Sequence, residues 1–423
     1  MIAIAFCLSA MLGLLVASSS DRTDTAYRED TTVTDATPMR MLALTSHDPI
    51  LIDGNAGFIG LITSTGVTGG SGTASNPYII EGWEISSFPS NGIEIRNVDV
   101  CFVVQNCYVH DGVGGEWEQA AIYLNQSSNG SIRNCTCSSN SLGYGIRLYS
   151  SDSNSLIDNA CTDSWYGIYL WDSNGNSIVD NNCSGNGDGI RVWDSDSNSV
   201  IDNTCSSNYG DGIRIHGVTS IDNSIVDNTC FLNSVCGICL YSSDSCSLAN
   251  NTCSNNEYGI GMYRADGNRL WENTIANNGG AGVLLTKDGS SSDNIFWHNN
   301  FVNNTPQAEA HGYPNTWDNG SHEGGNYWSN YTGQDANGDG RGDSPYVIDG
   351  QNIDRYPLMA PWTPSQELPD EPKKGIETSM IYALSIAAVV IIVVVAILVM
   401  RRKKEPDQFG AGAEEPPTAP PGT

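Results

Sequence analysis

A glycine returns along this chain at Gly145, Gly167, Gly189, Gly212, Gly237, Gly259 and Gly282, at spacings of 22, 22, 23, 25, 22 and 23 residues. An apolar–x–apolar triplet follows each one: IRL, IYL, IRV, IRI, ICL, IGM and VLL. About ten residues further on comes another apolar position, then Asn, then usually Cys. A period of this length, built from short alternating runs and Asn/Ser/Gly turns, indicates a solenoid of strands. The intervals are too short for a strand plus a helix, and no 3.6-residue periodicity runs between the triplets. The predicted fold is all-β, a right-handed parallel β-helix with one coil per repeat. A single coil cannot bury its own apolar face, so its neighbours must supply the rest of the core.

Stacking turns the repeat into columns, because equivalent residues of adjacent coils lie about 4.8 Å apart. The triplet's apolar residues point inward. Asn159, Asn181, Asn203, Asn228, Asn251, Asn273 and Asn299 form an inward column whose amides can bond one another and the turn backbone. Cys161, Cys183, Cys205, Cys230 and Cys253 form another, continued by Ile275, so that column accepts a plain hydrophobe. Cys236, Cys239 and Cys246 crowd one coil without such an explanation, and a local disulfide there stays open.

Two columns face outward. One reads Tyr149, Trp171, Trp193, His216, Tyr241, Tyr263; beside it run Arg147, Tyr169, Arg191 and Arg214. Five coil steps make an aromatic strip of roughly 24 Å. Such a strip, bordered by hydrogen-bonding side chains, suits the apolar faces of sugar rings. The expectation is carbohydrate binding by Tyr149, Trp171, Trp193, His216, Tyr241 and Tyr263 with Arg147, Arg191 and Arg214. The competing reading is a cross-strand ladder that only stabilises the sheet. An acidic column, Asp158, Asp180, Asp202 and Asp227 followed by Asn250 and Glu272, implies bound cations or solvated turn carboxylates.

The segment DANGDGRGD, Asp335–Asp343, has the spacing of a calcium loop. Asp335, Asn337 and Asp339 stand at positions 1, 3 and 5, Gly340 at 6, Arg341 at 7 and Asp343 at 9. Tyr346 replaces the bidentate Glu at 12, leaving Asp349 or Asp354 to fold back. His298, His311 and His322 are the sequence-near imidazoles suited to copper.

The formal charge is −29 although only 16% of residues are charged, so Lys and Arg are scarce. That argues against nucleic acid, which requires basic patches. Residues 1–20 resemble a secretory signal lacking the basic n-region. Residues 380–400 form an uncharged run of 21, long enough to span a bilayer, with RRKK following as a cytoplasmic flank. N-x-S/T sequons such as Asn125, Asn182 and Asn330 fit exposure outside the cell.

The stretch GGNYWSNYTGQDANGDGRGDSPYVIDGQNIDRYPL, Gly324–Leu358, resembles the C-terminal signature of the NosD-like family of periplasmic or cell-surface β-helix proteins. NIFWHNNFVNNTPQA, Asn294–Ala308, and the coils fit it as well, and GGSGTASNPYIIEGWEI, Gly69–Ile85, looks like the N-terminal cap of archaeal members. The resemblance implies copper binding and a part in metalloenzyme maturation.

The expected organisation is a signal at 1–20, a flexible lead-in at 21–47 and an N-terminal cap at 48–90. Coils follow at 91–305, a C-terminal cap at 306–358, a Pro-rich stalk at 359–379, a membrane span at 380–400 and a cytoplasmic tail at 401–423. The function expected is non-catalytic binding of polysaccharide or another envelope component by a single-pass cell-surface protein. Copper-dependent maturation is the second reading. A polysaccharide lyase or hydrolase is the third, because the acidic column singles out no carboxylate pair of the kind glycoside hydrolysis uses.

Overall fold

The computed structural model describes residues 44–60, 62–87, 90–112, 119–140, 142–286 and 291–363. The chain divides into two units, Met1–Trp362 and Thr363–Thr423, and the described residues lie in the first apart from Thr363. The expected signal, membrane span and tail lie outside the described residues. Among the described residues no helix is long and apolar enough to cross a membrane.

The first unit is an all-β, right-handed-type parallel β-solenoid with three faces. Two sheets have eleven strands each: one runs from Ile50–Asp53 to Ala308–Ala310, the other from Val67–Gly69 to Ile295–Trp297. The third face comes in runs of five and six strands, joined through the bridges of Asn182 to Ala160 and Thr204. Nearly every neighbour pairs in parallel with the register the columns require. Ile146, Ile168 and Ile190 stack, as do Leu148, Leu170 and Val192, and all six are fully buried. Two strand pairs among the described residues are antiparallel: Val67–Gly69 with Tyr78–Glu81, and Tyr346–Val347 with Ile353–Asp354. Strands Ile50–Asp53, Tyr78–Glu81 and Trp83–Ser86 already join the three sheets, so the solenoid begins within the segment expected as a cap.

Corners follow from backbone chemistry. Asp158, Asp180, Asp202, Asp227, Asn250, Glu272 and His298 all have φ between 54° and 58°. Asp and Asn enter this left-handed region more readily than most residues. The acidic column is thus a corner column, and its carboxylates crowd: burial, then Asp227 and Asp180, raise the Asp202 pKa.

The turn just after each corner is closed from inside by asparagine. Asn181 Nδ2 donates to Asn203 Oδ1 at 3.0 Å and to the Leu156 carbonyl at 3.0 Å, while its N–H donates to the same Oδ1 at 2.9 Å. The pattern passes from coil to coil as far as Asn326, each asparagine satisfying backbone groups at its turn. Its last acceptor is Asp354, whose Oδ2 takes the Asn326 N–H at 2.7 Å and Trp328 Nε1 at 2.8 Å. Two more such ladders exist, one from Asn186 to Asn304 and one from Asn154 to Asn315. Cys246 stands between Asn223 and Asn268 in the second, its N–H donating to Asn268 Oδ1 at 2.8 Å. That accounts for one of the three unexplained cysteines.

Cys137, Cys161, Cys183, Cys205, Cys230 and Cys253 stack inward, fully buried, and Ile275 and Phe301 continue the column. Every described cysteine is a free thiol. This is the apolar filler role that the Cys-to-Ile exchange implied. Stacked rings fill the far end: Phe296 on Trp317 at 4.1 Å, Phe301 on Trp328 at 4.2 Å, Trp328 on Tyr346 at 4.2 Å.

Candidate functional site

The outer face of the sheet that starts at Ile50 carries the predicted aromatic column in unbroken register. Tyr149 pairs with Trp171, Trp171 with Trp193, Trp193 with His216, His216 with Tyr241, and Tyr241 with Tyr263. Successive ring centroids lie 5.1, 6.4, 4.6, 4.7 and 5.8 Å apart. Trp193 stacks on His216 and Tyr241 on Tyr263, with interplanar angles of 28° and 24°, so these rings largely cover one another's faces; Trp171 is 39% exposed and the other five are half-buried. A cleft of about 490 Å³ opens at its far end, lined by Tyr241, Tyr263, Arg264 and Thr286.

The arginine column is packed down among the rings. Arg147 is buried and lies over Tyr123 and Tyr144 at 4.9 and 5.2 Å; Arg191 lies 4.8 Å from both Tyr166 and Trp193. Cation–π contact is favourable at this range. Burial, then Arg214 and Arg191, lower the His216 pKa to about 4, so the imidazole is neutral at pH 7. Arg191 Nη2 faces His216 Nδ1 at 3.3 Å, which makes Nδ1 the acceptor.

A third outward column escaped the sequence reading. The residue before each repeat glycine is, in turn, Tyr144, Tyr166, Asp188, Asp211, Cys236, Tyr258 and Ala281. Tyrosine is replaced in the three middle coils by two acids and a thiol. Following the position before the glycine down the repeat would have found the break. Asp188 and Asp211 are 6% and 2% exposed. Arg191 Nη1 donates to Asp188 Oδ2 at 3.2 Å and to the Tyr166 hydroxyl at 2.7 Å, and Arg214 Nη1 donates to Asp211 Oδ2 at 3.3 Å. The coils are tied through these acids: Asp211 N–H donates to Asp188 Oδ1 at 2.9 Å, and Cys236 N–H to Asp211 Oδ1 at 2.9 Å. Burial, then Asp188, raise the Asp211 pKa to about 6. Buried charges persist only when paired, and here the arginines of the strip supply the pairing.

The predicted metal residues fall elsewhere. In the loop from Asp335 to Asp343, Asp335 accepts the N–H groups of Gly338, Asp339 and Gly340 at 2.7–3.1 Å. Asp339 accepts Arg341 N–H at 2.9 Å, Asn337 accepts Asp339 N–H at 3.0 Å, and Asp343 accepts Ala336 N–H at 2.8 Å. Asp354 does not fold back to this loop, because it is fixed at the end of the asparagine ladder. His298 is 5% exposed, stacks on Trp362 at 3.5 Å and bonds the Glu323 carbonyl at 2.7 Å. His311 faces Glu309 at 3.1 Å, and His322 is exposed on the short helix Gly320–Glu323. The three imidazoles do not form a ligand set. Among the described residues, one trio alone brings its ligating atoms within 4.8 Å of one another: Asp211, Cys236 and Cys239.

The solved structures similar to this chain match it at low identity. A periplasmic alginate epimerase, AlgG, matches at 17% identity and TM-score 0.42, over 56% of this chain and 76% of that one. The Dettilon tailspike protein matches at 15% and 0.39, over 54% and 59%. The A-module of the Azotobacter vinelandii mannuronan C-5 epimerase AlgE4 matches at 12% and 0.38, over 64% and 90%. No curated protein matches the chain in sequence. The model of the family described as periplasmic copper-binding protein (NosD) matches residues 52–236 and 218–333, which take in the coils, the aromatic strip and all three columns of its sheet. On that match, carried by the same repeats that build the solenoid, the chain belongs to the NosD family.

Proposed function

We propose that the aromatic face is a non-catalytic platform for an extended polysaccharide or another glycan of the cell envelope. The observation that carries the reading is the unbroken ring ladder from Tyr149 to Tyr263, with guanidinium groups alongside it. The ring column offers an apolar surface to the C–H groups of sugars, and the half-buried Arg214 stands beside it as a donor for hydroxyl or carboxylate groups. Arg147, Arg191 and Arg214 stand against Asp188 and Asp211, and Asp172 and Asp194 directly follow Trp171 and Trp193, so the strip carries no excess of positive charge.

Anchoring and a stabilising ion are supported by the sequence. The apolar runs at 1–20 and 380–400, the latter followed by RRKK, support a single-pass protein with its solenoid outside the cell. The spacing of Asp335, Asn337, Asp339 and Asp343 around Gly340 supports calcium as a stabiliser of the C-terminal cap. Chelation is then expected to lower the melting temperature by several degrees, and equal melting curves in calcium and chelator would rule the ion out.

Affinity electrophoresis against a panel of neutral and acidic polysaccharides tests the platform. Trp171→Ala/Trp193→Ala is expected to weaken binding at least tenfold. The lost ring–ring pairs cost the fold about 0.2–1 kcal/mol each, so the variant stays folded. Unchanged migration of the folded variant would contradict the reading.

A further inference from the structure

The thiols in the break of the tyrosine column have a chemistry that glycan binding does not use. Cys236 aligns with Tyr258, and Cys239 with Arg214 on one side and Gly261 on the other. Both face outward, away from the inward cysteine column, so the filler role that explains Cys161 to Cys253 does not extend to them. The Asn-ladder role that explains Cys246 does not either. Their sulfurs and a carboxylate oxygen of Asp211 lie within 4.8 Å of one another, at exposures of 0%, 3% and 2%.

We propose that Cys236 and Cys239 hold one thiophilic cation, copper(I), with Asp211 as an anchored third donor. Thiolates select copper(I) or zinc among the common metals, and structural zinc asks for four ligands in a tetrahedron. This site offers fewer. Both oxygens of Asp211 are already engaged, Oδ1 by Cys236 N–H and Oδ2 by Arg214, so its carboxylate is oriented but only partly free. The donor set is then two sulfurs with a weak oxygen, which suits a soft monovalent ion. Such a bis-thiolate complex carries a net negative charge, and the Arg214 guanidinium beside it offsets that charge.

Room over the sulfurs comes from Gly261. A Cβ there would sit 2.7 Å from Cys236 Sγ and 2.9 Å from Cε2 of Tyr263. The middle outward column, occupied by Arg147, Tyr169, Arg191 and Arg214 in earlier coils, loses its side chain at the rung that follows the thiol pair. Binding releases the two thiol protons to solvent and forms two Cu–S bonds. The copper enters and remains as copper(I), so no electron is exchanged. The assignment is independent of the glycan reading: the family description names copper but no residue, and the predicted histidine trio does not converge.

The test uses the reduced full-length chain, titrated anaerobically with copper(I) from a competing chelator. One equivalent is expected to stay bound through gel filtration, and copper-edge X-ray absorption is expected to show two sulfur neighbours. Cys236→Ser/Cys239→Ser should lower the affinity at least a hundredfold, whereas Cys161→Ser/Cys183→Ser in the inward column should leave it within a few-fold. The absorption spectrum of the unaltered chain keeps the test valid should a double variant misfold. Retention of no copper, nitrogen-only coordination, or loss of binding on changing the inward cysteines would overturn the proposal. So would a Cys236–Cys239 disulfide that reductant does not open.

Discussion

Asp354 is a carboxylate where every preceding rung of its ladder is an amide. It is fully buried, and burial raises its pKa to about 7, against the pull of the N–H donors of Asn326, Trp328 and Tyr356. The folded protein therefore holds this proton more tightly than the unfolded chain, in which the group titrates near 3.8. Its contribution to stability is full below about pH 4 and is lost as the pH rises through 7. Urea unfolding between pH 4.5 and 7.5 should show this fall, and Asp354→Asn should remove it. At low pH the variant should be about 1 kcal/mol less stable than the wild type, because an amide NH2 would face the Tyr356 N–H that Oδ1 now accepts, and this deficit should shrink and then reverse as the pH rises. The same fall in the variant would show that Asp354 is not its source. Cys246 is the converse case, a thiol in an asparagine ladder. Cys246→Asn should stabilise the fold by about 0.5–1.5 kcal/mol, since an amide oxygen accepts the Asn223 N–H better than sulfur does. A lower unfolding midpoint would contradict the ladder assignment.

At the scale of strands and corners, the repeat glycines are set by steric contact. A Cβ on Gly189 would lie 2.5 Å from the Gly212 carbonyl and 2.9 Å from that of Cys183. Gly189→Ala is expected to destabilise by about 1–3 kcal/mol as coils are forced apart, and an unchanged denaturation midpoint would show that the spacing is not set there. This is also where the sequence was most legible. Inward positions such as Ile168, Asn181 and Cys183 recur with the period because each must fit the same residue one coil away. The outer aromatic face was legible only in part. Trp171 and Trp193 repeat and could be followed, whereas Asp188, Asp211 and Cys236 break their column and carry no periodic signal of their own. The histidines mislead for a geometric reason. A solenoid brings together residues about one coil apart, so His298 and His311, half a coil apart, land on different faces. His298 instead reaches Glu323, one coil on.

For the molecule as a whole, the solenoid is a rigid ruler that presents one ring every coil. Its inward ladders of Asn, Cys and Ile specify the coil, and its outward columns are free to carry binding chemistry. His216 keeps the strip's fourth rung uncharged down to about pH 4, so glycan affinity should not vary through this group between pH 5 and 8. A titration midpoint near 6.5 in binding would place His216 in a different environment. The most direct measurement is a glycan array probed with the purified chain. A polysaccharide platform predicts reproducible binding confined to one class of extended glycan. A blank array, or equal signal across unrelated glycans, would contradict it and leave the aromatic column as a stabilising ladder.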